Sequence, residues 1–281
     1  MHKIRLKDFM PYALMLPSIL IGTLAMISYG VSSSIWIQNI LIWILGTAVS
    51  CAFLIRSRKK HGSKNDFIPA IIILALLLFP FGFSGIEGIH RWLAVGPINL
   101  YVASIFLPLL LIYLWKLSVK HHERYVVSLT VIVLVILLLQ PDAGQVTAFA
   151  CAAAIILWKQ GTNKTLKVLI LSLSAIAVIL SWIFLDNLAP VAYVEDIIFL
   201  VADMGAGMLI LGTLSLVLLV IPFFVLGNVS IASQSLGVYF LMMMAVTFIG
   251  NFPMPVMGYG TSPIIGYLIA VTWVVKRNAA A

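Results

Sequence analysis

Apolar runs of roughly the length of a membrane span cover most of this chain. They fall near residues 10–29, 35–55, 67–83, 98–115, 125–139, 143–158, 168–185, 204–226, 233–250 and 262–275. A helix needs about 20 mainly apolar residues to cross the hydrocarbon core, so the pattern predicts about ten transmembrane helices, the shorter ones tilted or re-entrant. Because 63% of the residues are hydrophobic and 9% are charged, too few polar side chains remain to cover a soluble domain of this length.

Lysine and arginine lie almost entirely on one side of these predicted helices. With the N-terminus in the cytoplasm, 16 of the 17 Lys and Arg residues fall in cytoplasmic segments, as the positive-inside rule requires. The net charge of +8 therefore reflects membrane topology, and we exclude nucleic acid as a partner. The sequence predicts an all-α multi-pass membrane protein, a single transmembrane domain over residues 1–281 with both termini cytoplasmic.

Arg91 is the exception, because it falls on the predicted outer side. Five of the nine acidic residues share that side: Glu87, Asp142, Asp186, Glu195 and Asp196. A guanidinium presents a planar fork that suits phosphate or carboxylate, and the neighbouring Trp92 suits the headgroup level. Arg91 is therefore either an anchor for an anionic headgroup or pyrophosphate, or one half of an ion pair with Glu87 or Asp142.

The segment Gln140-Pro141-Asp142-Ala143-Gly144 joins two apolar runs with almost no intervening sequence. We expect Pro141 to end the first helix and Gly144 to let the chain turn. Asp142 then lies at the edge of the bilayer, where a charge needs water, a cation or a partner. A well-made hairpin turn and a functional carboxylate are the two interpretations.

Two further predicted outer segments combine polar groups with irregular backbone. The loop 186–196 ends in Glu195 and Asp196 before a helix. There carboxylates either favour the helix N-terminus or act as a general base or cation ligand. The segment 251–263 contains prolines, glycines and a Thr-Ser pair, which preclude regular helix. Because non-helical backbone at membrane depth needs protein or water as a partner, we expect this segment to line a groove.

Three of these segments together resemble the SEDS family (shape, elongation, division and sporulation). Arg91-Trp92 with Gly96-Pro97 matches the family pattern R-W-x-x-x-G-P, and the segment 140–144 matches Q-P-D-x-G. The run 253–262 is similar to P-x-P-x-x-S-Y-G-G-S. Order, spacing, helix number and N-inside topology agree with that family, so the resemblance covers most of the chain and implies a SEDS-like fold of ten helices.

The resemblance implies an enzyme of the bacterial cell membrane that polymerises peptidoglycan glycan strands from lipid II. It makes Asp196 the catalytic base that deprotonates the acceptor sugar hydroxyl, with pyrophosphate as part of the leaving group. It also implies roles in binding or ordering the substrate for Arg91, Trp92, Gln140, Asp142, Glu195, Tyr259, Thr261 and Ser262. No metal-ligating residues are assigned; a divalent cation (Mg²⁺ or Mn²⁺) is the most that we expect as a cofactor. A single-span penicillin-binding protein is the expected protein partner.

The chain also departs from the family pattern. Ser104 and Leu107 stand where the family has a charged Glu and Lys in the fourth helix, and the outer loop 186–196 before the eighth helix is shortened. A member without polymerase activity that serves as a scaffold is therefore one alternative. A lipid-precursor transporter is another, with Asp203, Asp142 and Arg91 along its path. We expect Arg91, Asp142 and Asp196 to converge on one cavity that opens to the outer side.

Overall fold

The computed structural model describes residues 8–56, 66–96, 98–121, 123–186, 188–226 and 229–279. Pro97 of the R-W-x-x-x-G-P match lies outside the described residues. So do the basic residues predicted to be cytoplasmic before residue 8 and between residues 57 and 65.

Twelve α-helices and one two-stranded ribbon form the described part of the chain. The helices are α1 (Met10–Ala13), α2 (Leu16–Ser28), α3 (Ser33–Arg56), α4 (Phe67–Leu78), α5 (Val102–Lys120), α6 (Glu123–Leu139), α7 (Ala143–Gln160), α8 (Lys164–Ile183), α9 (Ile197–Asp203), α10 (Ala206–Val225), α11 (Ile231–Val246) and α12 (Thr261–Asn278). The strands are β1 (Trp92–Val95) and β2 (Ile98–Tyr101), and a 3₁₀ turn, Phe79–Gly82, follows α4.

Every apolar run of the sequence contains a helix, which confirms the predicted all-α membrane class. Five of the described helical stretches are long and apolar enough to cross a membrane: Met10–Ser28, Ser33–Arg56, Val102–Lys120, Lys164–Ile183 and Ala206–Val225. Shorter apolar helices cover Phe67–Gly82 and Ile231–Val246. The count of ten spans and the cytoplasmic placement of both termini stay predictions.

The structure differs from the predicted helices in three places. Residues 98–101 form β2, which pairs with β1 in antiparallel register from Trp92↔Tyr101 to Val95↔Ile98, so the helix predicted over 98–115 begins only at Val102. The helix predicted over 204–226 begins at Ala206, and a separate short helix, α9, precedes it; Gly205 between the two has a φ of 113°, a backbone conformation that favours glycine. Helix α12 begins at Thr261, so the prediction of irregular backbone was wrong for 261–263; Pro263 fits there because the first helical turn needs no N–H donor.

One compact unit of the chain comprises residues 62–188 and 230–243. It holds α4 to α8, the ribbon and the first part of α11. Helix α7 is its most buried element, because its alanines let α5, α6 and α8 approach closely. Asp142 caps α7 and Asn163 caps α8, each by accepting a bond from a backbone N–H three residues further along. We call this body the Arg91 unit.

The second compact unit comprises residues 1–61, 189–229 and 244–281. Its described part contains α1 to α3, α9, α10 and α12. Helix α12 packs on α3, and buried hydroxyl groups pair between helices, as in the 2.9 Å contact of Tyr12 Oη with Thr272 Oγ1. We call this body the Asp196 unit. The grouping of both units into one transmembrane domain over 1–281 stays a prediction.

Large apolar side chains are exposed along α3 and α8. Examples are Leu45 and Val49 on α3 and Ile176 and Ile183 on α8. Such faces are stable in lipid, where an apolar side chain has no water to avoid, and they identify the surfaces of these helices that face the bilayer.

Candidate functional site

The Arg91 unit contains a buried polar cluster around the Arg91 side chain. Strand pairing sets Trp92 opposite Tyr101, and the turn between α6 and α7 lies against the same ribbon. The Arg91 Nε donates a hydrogen bond of 3.0 Å to the carbonyl of Gln140, and Nη2 donates to the carbonyl of Pro141 and to the Asp186 carboxylate. Arg91 is only 4% exposed. One side chain therefore joins the ribbon, the α6–α7 turn and the segment after α8.

Asp142 is the second member of this cluster. It is fully buried and is the N-cap of α7, where Oδ1 accepts a 3.1 Å bond from Gln145 N. Its Oδ2 accepts a 2.5 Å bond from the Tyr101 hydroxyl. Helix α6 ends at Leu139 before Pro141, as predicted, but Gly144 lies inside α7, so its predicted role in the turn was wrong.

Burial governs the protonation of Asp142. Removal from water raises the pKa of the Asp142 carboxyl above its ordinary value, while the nearby Arg91 guanidinium and the Tyr101 hydrogen bond act in the opposite direction. The net pKa is raised, because desolvation is the largest of these effects.

Two glutamines extend the cluster into the helices. The Gln140 side chain donates to the carbonyl of Leu77 at 2.7 Å, and Gln145 Oε1 accepts a 2.6 Å bond from the Tyr239 hydroxyl. Among the described residues, Gln140 Oε1 and Gln145 Nε2 have no hydrogen-bond partner although both are buried. The interior of this unit thus keeps polar atoms that a water molecule or another polar group can satisfy.

The structure brings Arg91, Gln140 and Asp142 together, as the sequence predicted for Arg91 and Asp142. Among the described residues, however, Arg91 forms its ion pair with Asp186 and not with either predicted partner, Glu87 or Asp142. Trp92 is half-buried, and the Arg91 guanidinium carbon lies 5.7 Å from the centre of its ring. Substrate contact by these residues stays a prediction, and the observed contacts support an ordering role for Arg91.

The Asp196 unit holds the predicted catalytic base. Asp196 is the N-cap residue of α9, but its carboxylate makes no capping bond to that helix. It is half-buried, and no described residue hydrogen-bonds to its carboxylate. Glu195 differs, because its Oε2 accepts a 2.7 Å bond from Val191 N and closes the turn before α9. Of the two adjacent carboxylates, only Glu195 is hydrogen-bonded to another described residue, and the catalytic role of Asp196 stays a prediction.

The segment 251–260 packs beside this turn. Phe252, Met254, Val256 and Met257 are each at most 1% exposed, and backbone N–H groups of Met254 and Tyr259 donate to the carbonyls of Val194 and Tyr193.

The Tyr259 and Tyr193 rings lie 6.0 Å apart, and Thr261 and Ser262 begin α12 as buried residues. The predicted irregular backbone is confirmed as far as Gly260, and a substrate groove along this segment stays a prediction.

Asp196 belongs to one compact unit, whereas Arg91 and Asp142 belong to the other. Convergence of all three on one cavity therefore stays a prediction.

Sequence reasoning missed Tyr101, which donates a hydrogen bond to Asp142, and Asn39, which donates one to the carbonyl of Gly258. A signal existed for Asn39, since Gln38 and Asn39 are two adjacent amides within an apolar span. In the described part of the chain, no group of three His, Cys, Asp or Glu side chains is arranged to hold a metal ion.

Comparison with known proteins gives one sequence relative and several structural ones. The chain is 30% identical over 128 residues to a protein from Alkalilimnicola ehrlichii described as a probable peptidoglycan glycosyltransferase FtsW. That match covers 42% of this chain but spans only 32% of the relative's length. No protein-family model matches the chain.

The fold is similar to that of the rod-shape-determining protein RodA from Thermus thermophilus. The TM-score is 0.73 for an aspartate-to-alanine variant of RodA at 16% identity, and 0.70 for RodA itself at 17% identity. Each comparison covers 96% of both chains. A chain of a peptidoglycan synthase complex that couples polymerisation and crosslinking is similar with a TM-score of 0.64 at 17% identity, over 95% of this chain and 98% of that one.

The fold similarity to RodA thus extends over almost the whole chain, while the match to FtsW is a separate similarity in sequence. The chain therefore shares the fold of RodA, and 128 of its residues are similar to part of an FtsW sequence.

Proposed function

We propose that this protein is a peptidoglycan glycosyltransferase that extends glycan strands from lipid II at the outer membrane face. The observation that carries the proposal is the RodA fold over 96% of the chain, joined to the local sequence match with FtsW. The substrate of the proposed reaction is a polyprenyl-pyrophosphate-linked disaccharide.

Asp196 is the proposed general base. It removes the proton from the acceptor hydroxyl as that oxygen bonds to the anomeric carbon of the donor sugar, and the bond from this carbon to the pyrophosphate breaks. The lipid pyrophosphate leaves with the electron pair. The free, half-buried carboxylate of Asp196 supports this role, because a base already engaged by a helix N–H would be a weaker proton acceptor.

The Arg91 cluster has a different proposed role. Its guanidinium already binds the α6–α7 turn and Asp186, so we assign Arg91, Gln140 and Asp142 to ordering the protein around the substrate. Trp92 and Tyr259 are half-buried and, with Glu195, remain the proposed contacts for headgroup or sugar. Thr261 and Ser262, which are buried at the start of α12, are proposed to bind the substrate with them.

Cofactor and partner assignments follow the same proposal. The described residues do not form a metal centre of three ligands, so we derive no step through Mg²⁺ or Mn²⁺. The similarity to a chain of a peptidoglycan synthase complex supports a penicillin-binding protein as the partner. Such a partner would crosslink the strands that this chain extends.

Strand synthesis from purified lipid II by the full chain in detergent tests the proposal. The Asp196→Asn variant keeps the size of the side chain but cannot accept the proton, so we expect activity to fall by about 10²- to 10⁴-fold. Asp203→Asn is the matched control, because it removes the carboxylate at the opposite end of α9.

Strand synthesis by Asp196→Asn at the wild-type rate would refute the general-base assignment. Absence of strands from the wild-type chain, with movement of labelled lipid II across vesicles that contain it, would replace the glycosyltransferase with the transporter. Assays with EDTA and with added Mg²⁺ or Mn²⁺ would establish any dependence on a divalent cation.

A further inference from the structure

A buried amide in the Asp196 unit links the segment 251–260 to the helix α3. Asn39 is 1% exposed and lies in an otherwise mainly apolar helix. Its Nδ2 donates a 2.9 Å bond to the carbonyl of Gly258, and its Oδ1 accepts a 3.2 Å bond from Gly260 N. The two bonds clamp the residues on either side of Tyr259. An amide is required for this pattern, because aspartate lacks the donor and leucine lacks both groups.

The clamped residues in turn hold the segment that leads to Asp196. Tyr259 N donates to the carbonyl of Tyr193 at 2.8 Å, and Met254 N donates to that of Val194 at 3.2 Å. Contact at Gly258 is so close that a Cβ there would lie 2.4 Å from the Val194 oxygen. Val194 is two residues before Asp196, so the two backbone bonds restrain the start of α9.

The turn before Asp196 is itself rigid, which lets it transmit this restraint. Val194 N and Glu195 N both donate to the carbonyl of Val191, at 2.8 and 3.1 Å, and the Glu195 carboxylate accepts from Val191 N. The Asp196 side chain has no hydrogen bond to a described residue that would fix its position. Its placement therefore depends on the backbone of 191–195 and on whatever anchors that backbone.

We propose that Asn39 is a positioning residue for Asp196. The proposal rests on the proposed function, in which Asp196 is the general base, and it adds the group that holds the base at its working position. Asn39 does not touch the substrate; it fixes Gly258 and Gly260, which fix Tyr193 and Val194 through Tyr259 and Met254. Loss of Asn39 then displaces the base without removing it.

Two measurements on the full chain in detergent test this. The first is amide hydrogen exchange of the segments 191–196 and 254–260 in Asn39→Ala, where we expect about tenfold faster exchange in both segments. The second is strand synthesis from lipid II, where we expect kcat to fall roughly ten- to hundredfold at little changed KM, because a displaced base affects the chemical step.

Tyr12→Phe is the matched control, since it removes another buried hydrogen bond of the same unit, to Thr272, but none that leads to Asp196. It should leave the exchange of both segments and kcat unchanged.

Unchanged exchange of 191–196 in Asn39→Ala would overturn the proposal whatever the activity. A fall in kcat of equal size in Tyr12→Phe would also overturn it, because a general loss of stability would then explain both. If the wild-type chain synthesises no strands, only the proposed function is refuted. The exchange data would still decide whether Asn39 anchors the segment 191–196.

Should Asn39→Ala fail to fold, Gln38→Ala provides the milder test. Gln38 is half-buried, and its Oε1 accepts a 3.0 Å bond from the Tyr259 hydroxyl. We expect a smaller rise in exchange, confined to the residues around Tyr259 and Tyr193. No rise in either segment would overturn the proposal.

Discussion

The aspartates that the two compact units contribute to the candidate site differ in their surroundings. In the Arg91 unit, Asp142 and Asp186 are largely buried, and each is bonded to a donor of the same unit. In the Asp196 unit, the Asn39 amide, the Glu195 carboxylate and backbone groups make the anchoring bonds, and the Asp196 carboxylate has no hydrogen bond to a described residue. A buried charge depends on its partner, because removing that partner leaves it uncompensated, whereas a partly exposed carboxylate without such a bond is free to accept a proton.

This difference shows how a membrane protein can use a buried charge to hold its helices together while another carboxylate stays reactive. Burying a guanidinium requires acceptors for its donors, and the carbonyls of Gln140 and Pro141 supply them because both residues follow the end of α6 at Leu139. The same break lets Asp142 cap α7. In the Arg91 unit, the same turn between α6 and α7 therefore provides both the acceptors for Arg91 and the cap of α7.

The comparison predicts the largest stability effect at Arg91. Arg91→Ala leaves Asp142 and Asp186 buried without their cation, so we expect the free energy of unfolding to fall by about 3–5 kcal/mol. The free energy of unfolding should fall less in Arg91→Lys, because lysine keeps the positive charge, although it lacks the planar fork of the guanidinium. Thermal unfolding in detergent measures both, with Arg124→Ala, an exposed arginine of α6, as the control. Equal melting temperatures for Arg91→Ala and Arg124→Ala would contradict an ordering role.

A smaller effect is expected in the Asp196 unit from packing of the segment 251–260. A Cβ at Gly22 of α2 would lie 2.0 Å from the Met257 carbonyl oxygen, so Gly22→Ala must push that segment away. We expect the free energy of unfolding of Gly22→Ala to fall by about 1–3 kcal/mol. Gly207 of α10 has nothing within 4 Å of an added Cβ, so Gly207→Ala should stabilise by about 0.5–1 kcal/mol. Chemical unfolding of the two variants would contradict this if both changed stability in the same direction.

The smallest effect concerns the pH dependence of the Arg91 unit. Because burial raises the pKa of Asp142, the folded chain keeps that proton at pH values where the unfolded chain has lost it. The contribution of Asp142 is therefore greatest below its ordinary pKa of 3.8 and declines as the pH rises through the raised value, by about 1.4 kcal/mol for each unit of separation.

Asp142→Asn removes this titration, so the melting temperature should fall less between pH 4 and pH 7 than in the wild type. Asp203→Asn, at an exposed position, is the control. An unchanged pH slope in Asp142→Asn would show that Asp142 is ionised throughout that range.

Much of the fold followed from the apolar pattern. Runs of span length predicted the helical segments because, in lipid, a segment must satisfy its own backbone bonds, and a helix does so locally. The ribbon over 92–101 escaped prediction, since its strands are short and its second strand continues directly into the apolar sequence of α5. The separate short helix α9, which ends before Gly205, was missed for a similar reason, because apolar sequence continues on both sides of that glycine.

The sequence by itself determined a polytopic helical membrane protein, the chemical character of Arg91, Asp142 and Asp196, and the resemblance to the SEDS family. Only the tertiary structure decided that Arg91 pairs with Asp186, that Tyr101 donates to Asp142 and that Asn39 clamps the residues around Tyr259. Hydropathy depends on each residue alone, so it can be read along the chain. Partners 41, 95 and 219 residues apart depend on how helices pack, which no local pattern specifies.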